Sequence, residues 1–388
     1  MVRWRRTIHR HPELGLKEEK TAAYIVDELQ SANLDDIKTH VGGTGVVGLL
    51  KSTNPNRKQG VLLLRADIDA LPIQEENPGI DYASEIPGVM HACGHDGHTA
   101  ILLATAHAAG ILRDKLPGDL KFVFQPAEES PGGALPMIND GVMENPTVTG
   151  AVGLHIDTHQ PVGRAQTRSG PVMAAADEFE ILIMGKGGHG AYPHNTVDAV
   201  VVGSYVVTAL QTLVSRNTDP NQAAVVTIGR FESGSNFNII AETAHLWGTL
   251  RTFDPELRKT LKQRINDLSH AICQSLGAAC EFIFESHYPP VVNDEGMTDL
   301  MVAAAREVLG PDGVGMDLIS MGGEDMAYYL QRVPGVFLFL GAGNAERGLV
   351  EPHHSPHFNF DEEAMPLGVE IFLRFTEAFF AKNPKITS

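Results

Sequence analysis

The chain has 388 residues, of which 43% are hydrophobic and 20% charged, and its 30 Lys and Arg stand against 48 Asp and Glu. This length allows a large core and predicts about two domains. The net charge of −18 and the presence of only three cysteines argue against a nucleic-acid-binding surface and a disulfide framework. No apolar run reaches about 18 residues, and no apolar segment follows the basic N-terminus, so we expect neither a membrane span nor a signal peptide, and a cytoplasmic location.

Predicted strands and helices alternate through the first part of the chain. Apolar residues at helical spacing predict a helix over residues 20–32, and an almost wholly apolar stretch predicts a core helix over 99–112. Short apolar runs bounded by turn residues predict buried strands at 46–51, 61–65, 120–124 and 151–156. Such alternation is typical of an α/β domain with a mostly parallel sheet, in which ligands bind at the carboxyl ends of the strands.

Residues 43–48 (GTGVVG) match the G-x-G-x-x-G pattern of dinucleotide-binding loops. In such loops the pattern follows a strand and opens a helix. Here it leads into the predicted strand at 46–51 instead. The context therefore argues against nucleotide binding.

The middle of the chain has a different order of elements. Asp254 and Pro255 predict the capped start of a helix that runs to residue 276. With a helix at 197–214 and strands at 178–184, 223–231, 243–252 and 280–286, the order is β-α-β-β-α-β, which is ferredoxin-like. Helix–strand alternation then resumes at 296–309, at 336–340 and from about 362. We therefore predict an α/β metal-binding catalytic domain made of residues 1–175 and 289–388, with an inserted ferredoxin-like α+β lid or dimerisation domain at 176–288.

Residues 91–98 contain three histidines, one cysteine and one aspartate. Imidazole and thiolate suit metals such as Zn²⁺, whereas carboxylates suit Mn²⁺. Further candidate ligands follow predicted strands or lie near the end of the chain, namely Glu128, Glu129, His155, His353 and His354. Catalytic metal sites draw their ligands from several strand ends and keep one position open. The scatter therefore predicts a metallohydrolase rather than a zinc finger, for which no second cysteine pair is present.

Four motifs give the chain a resemblance to a known family. Residues 65–72 (RADIDALP), 90–96 (MHACGHD), 125–129 (QPAEE) and 187–190 (GGHG) resemble the M20 metallopeptidases, in the branch of hippurate hydrolases, auxin-conjugate hydrolases and thermostable carboxypeptidases. The resemblance implies a site for two divalent metal ions with the ligands Cys93, His95, Glu129, His155 and His354. His354 is preferred to His353 because it directly precedes Ser355-Pro356, as in the family pattern.

The same resemblance implies roles for five further residues. Glu128 matches the general base, and Asp69 matches the carboxylate that orients a metal ligand. His189 would donate to the oxyanion of the tetrahedral intermediate, in its own or a partner subunit's site. Asn238 and Arg251 would hold the free carboxylate of the substrate, although alanine stands at 241 where the family usually has proline.

The sequence therefore predicts a metal-dependent amidohydrolase that cleaves N-acyl or N-aroyl amino acids, or the C-terminal bond of short peptides, through a metal-activated water. Zinc or manganese is expected before cobalt or nickel, and a homodimer or higher homo-oligomer is expected. We expect no nucleic-acid partner and no membrane partner. Two alternatives stay open, a dedicated deacetylase of an N-acetylated diamino-acid intermediate and a non-catalytic metal- or ligand-binding homologue. The presence of Glu128 argues against the second, because a binding protein needs no general base.

Overall fold

The computed structural model describes residues 1–77 and 79–382, and their packing divides the chain into two compact units. We call these the large unit (Met1–Val172, Val292–Ile319 and the chain from Asp325 onward) and the small unit (Met173–Val291 and Ser320–Glu324). Each unit has its own cluster of buried apolar side chains. The role of residues 176–288 as a lid or dimerisation domain stays a prediction.

Helices and strands are numbered here in chain order through the described residues. The helices are α1 Val2–Arg10, α2 Glu19–Gln30, α3 His95–Ile111, α4 Ala134–Asn139, α5 Ala199–Asn217, α6 Pro255–Ser275, α7 Glu295–Leu309, α8 Ala327–Leu330 and α9 Ala364–Lys382. The strands are β1 Asp36–Val41, β2 Gly45–Leu50, β3 Val61–Asp67, β4 Asp119–Gln125, β5 Gly150–Pro161, β6 Ala165–Gln166, β7 Gly170–Met173, β8 Ala175–Met184, β9 Gly188–His189, β10 Ala224–Ser233, β11 Ile239–Ile240, β12 Thr243–Thr252, β13 Ala279–Tyr288, β14 Val291–Asn293, β15 Val314–Gly315 and β16 Gly335–Gly343.

The large unit is built on an eight-stranded sheet with the order β1-β2-β4-β3-β5-β16-β6-β15. The four central strands, β4, β3, β5 and β16, pair in parallel, whereas β1, β2 and β4 pair antiparallel at one side. All seven residues of β3 are buried, as expected for a central parallel strand covered on both faces. The predicted α/β fold is confirmed, and the predicted parallel pairing holds for the centre of the sheet.

Helices cover this sheet and form the core of the large unit with it. α3 packs against β3, α1 and α9, and α7 packs against α9. Leu64 of β3 and Phe122 of β4 are completely buried in a cluster with Ile101 of α3 and Phe375 of α9. This packing fixes α3 on the sheet, and the first residue of α3 is His95.

The small unit has a four-stranded antiparallel sheet with the order β10-β12-β8-β13. Its chain order is β8-α5-β10-β12-α6-β13, apart from the short strands β9 and β11, so the ferredoxin-like order is present. Phe179, Ile181 and Ile183 alternate along β8 with their side chains in the core, and α5 and α6 pack on the sheet. As predicted, the Asp254 carboxylate caps α6 by accepting a hydrogen bond from the Leu257 N–H at 2.7 Å.

Helix α5 is long and apolar enough to pass a length-and-composition test for a membrane-spanning helix. Its residues Val202, Val206, Leu210 and Leu213 form one buried face that packs in the core of the small unit. Long apolar helices that pack in a protein core can pass the same test, so it is weak evidence for a membrane span. The packing therefore fits the predicted place of this helix in the inserted domain.

Candidate metal centre

The site begins where the parallel strands β3 and β4 end, beside the middle of β5. β3 ends at Asp67, β4 ends at Gln125, and β5 carries His155. Because β3 pairs with both β4 and β5 in parallel, the segments that follow β3 and β4 lie at the same edge of the sheet, and His155 of β5 lies beside the end of β3. Asp69 and the pair Glu128-Glu129 lie in these segments.

His95 enters the site from the first residue of α3. Gly94 before it has a φ of 89°, a left-handed conformation that glycine adopts without steric cost. α3 thus begins four residues earlier than the predicted Thr99, because the glycine turn rather than the apolar run sets its start. The His95 Nδ1 lies 3.0 Å from the Asp69 carbonyl oxygen and 3.2 Å from its Oδ1, while its Nε2 is buried without a hydrogen-bond partner among the described residues.

Both carboxylates of the acidic pair face His95. The His95 Nε2 lies 4.0 Å from the Glu128 Oε2 and 3.9 Å from the Glu129 Oε1. Adjacent residues of a regular strand would point to opposite faces, but β4 has already ended at Gln125, and Ala127 has a φ of 53°, so this segment is not extended. Asp69 also holds this turn, since its Oδ2 accepts a hydrogen bond from the Glu129 N–H at 3.0 Å.

The remaining predicted ligands, His155 and His354, contact Cys93 and Glu129. The Cys93 Sγ is 3.5 Å from the Nε2 of His155, and the His354 Nε2 is 3.1 Å from the Glu129 Oε1. His353, the second candidate, instead donates from its Nε2 to the Ile156 carbonyl oxygen at 2.8 Å. The structure thus brings all five predicted ligands together, in overlapping groups whose ligand atoms lie within 4.8 Å of one another.

The charges of the cluster favour a cation in its middle. Burial and the carboxylates of Glu129 and Glu128 raise the pKa of the Cys93 thiol well above its ordinary value. Burial lowers the pKa of His95, but the charges of Asp67, Asp69 and Glu129 and the hydrogen bond with Asp69 together outweigh burial and raise the pKa to about 10. A buried imidazole nitrogen with no hydrogen-bond partner in the described part of the chain, a thiol and two carboxylates form a donor set that fits a divalent metal ion, whose binding displaces such protons.

A second buried network lies behind the cluster, and the sequence analysis did not assign it. The His98 Nδ1 is 2.6 Å from the Asp67 Oδ1, and Arg65 binds the other oxygen of Asp67 at 2.6 Å and Asp325 at 2.8 Å. All four side chains are buried. His98 follows His95 by three residues on α3, so the two share a helix face, and this spacing is the signal that could have found it.

Helix α1 contributes a third buried network next to α3. The Arg5 guanidinium is completely buried and donates to the Asp96 Oδ2 at 3.0 Å and to Asn359 at 2.7 Å. The His9 Nδ1 lies 2.8 Å from the same oxygen of Asp96, and its Nε2 lies 3.3 Å from Glu75. These contacts hold the first turn of α3, which carries His95.

The three predicted substrate-contacting residues lie in the small unit. His189 and Asn238 are exposed neighbours, because β9 pairs with β11 and the Gly190 N–H donates to the Asn238 carbonyl oxygen at 2.8 Å. A Cβ at Gly190 would lie 2.9 Å from that oxygen, so this close approach requires glycine. Arg251 is half-buried on β12, where its guanidinium donates to the carbonyl oxygens of Asp177 and Leu250.

Comparison with known proteins identifies the family. The model described as peptidase family M20/M25/M40 matches residues 63–378. The chain belongs to this family. The putative amidohydrolase YhaA from Bacillus subtilis is 46% identical to this chain over 366 residues, which cover 94% of this chain and 91% of that protein. The N-acyl-L-amino acid amidohydrolase from Geobacillus stearothermophilus is 45% identical over 298 residues, 76% of this chain and 79% of that protein.

A solved structure of an M20 protein agrees with the fold. It is a Bacillus subtilis protein described as a dinuclear metal binding peptidase, with a TM-score of 0.81 and 33% identity, and the match covers 97% of this chain and 96% of that one. The family resemblance predicted from the motifs is therefore confirmed. Membership of the M20 family makes the protein a hydrolytic enzyme, and its donor cluster agrees with the binding of divalent metal.

Proposed function

We propose that the protein is a metal-dependent amidohydrolase that releases the amino acid from N-acyl or N-aroyl amino acids, or from the C-terminus of short peptides. The observation that carries this proposal is the meeting of Cys93, His95, Glu129, His155 and His354 beside the carboxylate of Glu128. Both substrate classes present an amide carbonyl next to a free carboxylate, so one site geometry serves either.

We further propose two divalent ions, bound by the five ligand side chains, with His354 rather than His353 among them. The hydrogen bond from His353 to Ile156 and the contact of His354 with Glu129 support this choice. The mixture of thiol, imidazole and carboxylate favours zinc or manganese, with cobalt and nickel as further candidates. When bound, such ions polarise an amide carbonyl and lower the pKa of a water molecule.

The side chains around the cluster divide the remaining work. Glu128 is buried and, with Glu129 assigned as a ligand, would accept a proton from the attacking water and return it to the leaving amine. Asp69 holds both His95 and the turn before Glu129, so it keeps two proposed ligands in place. Its role is therefore orientation rather than proton transfer.

The small unit is proposed to provide substrate contacts and to act as a lid or dimerisation domain. We assign His189 to the oxyanion of the tetrahedral intermediate, and Asn238 and Arg251 to the carboxylate of the substrate. The exposure of His189 and the planar guanidinium of Arg251 support these roles. A homodimer or higher homo-oligomer and a cytoplasmic location also remain proposals, which light scattering and cell fractionation would test.

The experiment is a substrate panel on metal-stripped protein that is reloaded with one metal at a time. The panel contains N-acetyl and N-benzoyl amino acids, short peptides and N-acetylated diamino acids, and free amino acid is measured. We expect turnover that returns with metal and falls by about 10²–10⁴ in Glu128→Gln. The exposed Glu346→Gln is the matched control and keeps its turnover.

The same panel distinguishes the two alternatives. Activity confined to N-acetylated diamino acids would assign the chain to the dedicated deacetylases. Metal uptake without turnover of any substrate would leave a binding protein. Loss of turnover in Glu128→Gln together with loss of bound metal would contradict the assignment of Glu128 as base, because a base is not a ligand.

A further inference from the structure

Three histidine rings converge on the main chain of Ile156 in β5. The Ile156 N–H donates to the His98 Nε2 at 2.8 Å. The Ile156 carbonyl oxygen lies 2.7 Å from the His155 Nδ1 and 2.8 Å from the His353 Nε2. Ile156 is completely buried, so these groups have no water to replace the contacts.

The two backbone groups determine where each ring carries its proton. A backbone N–H can only donate, so the His98 Nε2 accepts and the proton of His98 lies on Nδ1. The carbonyl oxygen can only accept, so His155 carries its proton on Nδ1 and His353 on Nε2. The bare Nε2 of His155 is the nitrogen that lies 3.5 Å from the Cys93 Sγ.

His98 is itself fixed from behind. Its Nδ1 lies 2.6 Å from the Asp67 Oδ1, and the other oxygen of Asp67 accepts from Arg65 at 2.6 Å. His98, Asp67 and Arg65 are at most 1% exposed. A continuous chain of hydrogen bonds therefore runs from the buried guanidinium through the imidazole to the backbone of β5.

This chain excludes His98 as a metal ligand. Asp67, His95 and His98 offer ligand atoms within 4.8 Å of one another and could hold an ion by distance alone. Both nitrogens of His98, however, are engaged, one by Asp67 and the other by the Ile156 N–H. Both oxygens of Asp67 are engaged as well.

We propose that His98 is a positioning residue that, through the Ile156 N–H, directs the Nε2 of His155 at the metal. This inference rests on the proposed function, because it assumes that His155 binds a metal ion. The ring of His98 lies 4.6 Å from that of His155, centroid to centroid, so it also packs directly against the ligand. Loss of the Ile156 bond lets the segment that carries His155 shift, with the ligand composition unchanged.

Two substitutions at this one position separate the two bonds of the ring. In His98→Gln the side-chain amide reaches the place of Nε2 and can accept from the Ile156 N–H. In His98→Asn it reaches only the place of Nδ1 and can still donate to Asp67. Both variants lose the ring packing, so packing alone affects them alike.

The measurement is the affinity of the stripped full-length protein for Co²⁺, from competition with a chelator, together with the visible absorption of bound Co²⁺. We expect His98→Asn to lose about 10–100-fold in affinity and to change the spectrum. His98→Gln should keep most of the wild-type affinity and the wild-type spectrum. The thermal midpoint of both metal-free variants is the control for folding.

Each outcome decides the proposal. Equal losses in the two variants, or a larger loss in His98→Gln, would overturn the role of the Ile156 bond. If wild-type protein takes up no Co²⁺, the proposed function fails and this inference fails with it, whereas wild-type uptake with no difference between the variants overturns this inference alone. If either variant does not fold, ¹⁵N shifts of the histidines in the wild-type zinc protein decide, and a proton on Nε2 of His98 overturns the proposal.

Discussion

The two units differ in where they place their charged and polar side chains. In the large unit, Arg5, Arg65 and Asp67 are at most 1% exposed and lie directly behind the proposed ligands. In the small unit, the candidate residues His189 and Asn238 lie in an exposed pair of short strands above an apolar core. The large unit thus supports its proposed ligands with buried charged side chains, whereas these two candidate residues of the small unit lie at its surface.

Function and stability are therefore expected to be coupled differently in the two units. A buried ion pair that loses one partner leaves an uncompensated charge, which is strongly destabilising. An exposed side chain away from such networks changes stability little when it is substituted. We therefore expect substitutions in the buried network of the large unit to lower metal binding and stability together. Substitutions at exposed positions of the small unit should lower the rate without lowering stability. The chain also offers a reporter in each unit, Trp4 and Trp247.

The largest expected effect is the loss of stability on Arg65→Met. This change leaves Asp67 and Asp325 buried without their guanidinium, and we expect the free energy of unfolding to fall by about 3–5 kcal/mol. The measurement is urea unfolding in a Trp247→Phe background, followed by Trp4 fluorescence. Arg374→Met, at a half-exposed arginine with longer ion pairs, is the control and should cost less than about 1 kcal/mol. Equal losses of unfolding free energy in the two variants would contradict the stabilising role assigned to the buried Arg65.

His189→Ala is the matching test in the small unit, with the effect on rate instead of stability. We expect kcat to fall by about 10²–10³ if His189 donates to the oxyanion, with bound metal and thermal midpoint unchanged because the side chain is exposed. The control is His194→Ala, another exposed histidine five residues further along the chain. A fall in metal content in His189→Ala would contradict the expectation that substitutions at exposed positions of the small unit leave metal binding unchanged.

Arg251 lies between these cases because it is half-buried. If its guanidinium binds the substrate carboxylate, Arg251→Met should raise KM by about 10–100-fold, and Arg251→Lys should raise it less, since lysine keeps the charge but not the planar fork. The comparison uses each N-acyl amino acid and its carboxamide. For the carboxamide, which has no carboxylate, the variants should have the same KM as the wild-type protein. An equal rise in KM for both compounds would show that Arg251 acts on the fold.

Much of the fold could be predicted from apolar patterns, and the exceptions have physical causes. The predicted strand at 243–252 matches β12 residue for residue, because a period of two identifies a strand with one buried face. Helix α1 was missed because its buried side chains are Arg5, Ile8 and His9, and two of these three read as surface residues. β9 and β11 have two residues each and therefore carry no period, and only tertiary pairing makes them strands.

The candidate site shows the same division between local and tertiary signals. Cys93 and His95 are recognised by their spacing beside glycine, and the structure brings them together with the three distant ligands that the family motifs imply. His98 was left unassigned, because its importance comes from the Ile156 N–H of β5, 58 residues further along the chain. A backbone donor has no signature in the side-chain sequence, so this contact could come only from the three-dimensional structure.

The smallest expected effect concerns Asp254, whose capping role was predicted from the sequence and is present in the structure. Asp254→Ala removes the carboxylate that accepts from the Leu257 N–H at the start of α6, so we expect a loss of about 1 kcal/mol. Unfolding is followed by Trp247 fluorescence in a Trp4→Phe background, with kcat/KM measured in parallel. Asp267→Ala, at an exposed position within α6, should cost nothing, because alanine favours the helix more than aspartate does. Since the cap lies in the small unit and touches no proposed ligand, kcat/KM should stay at the wild-type value, and a parallel loss of activity would mean that the stability of the small unit limits turnover after all.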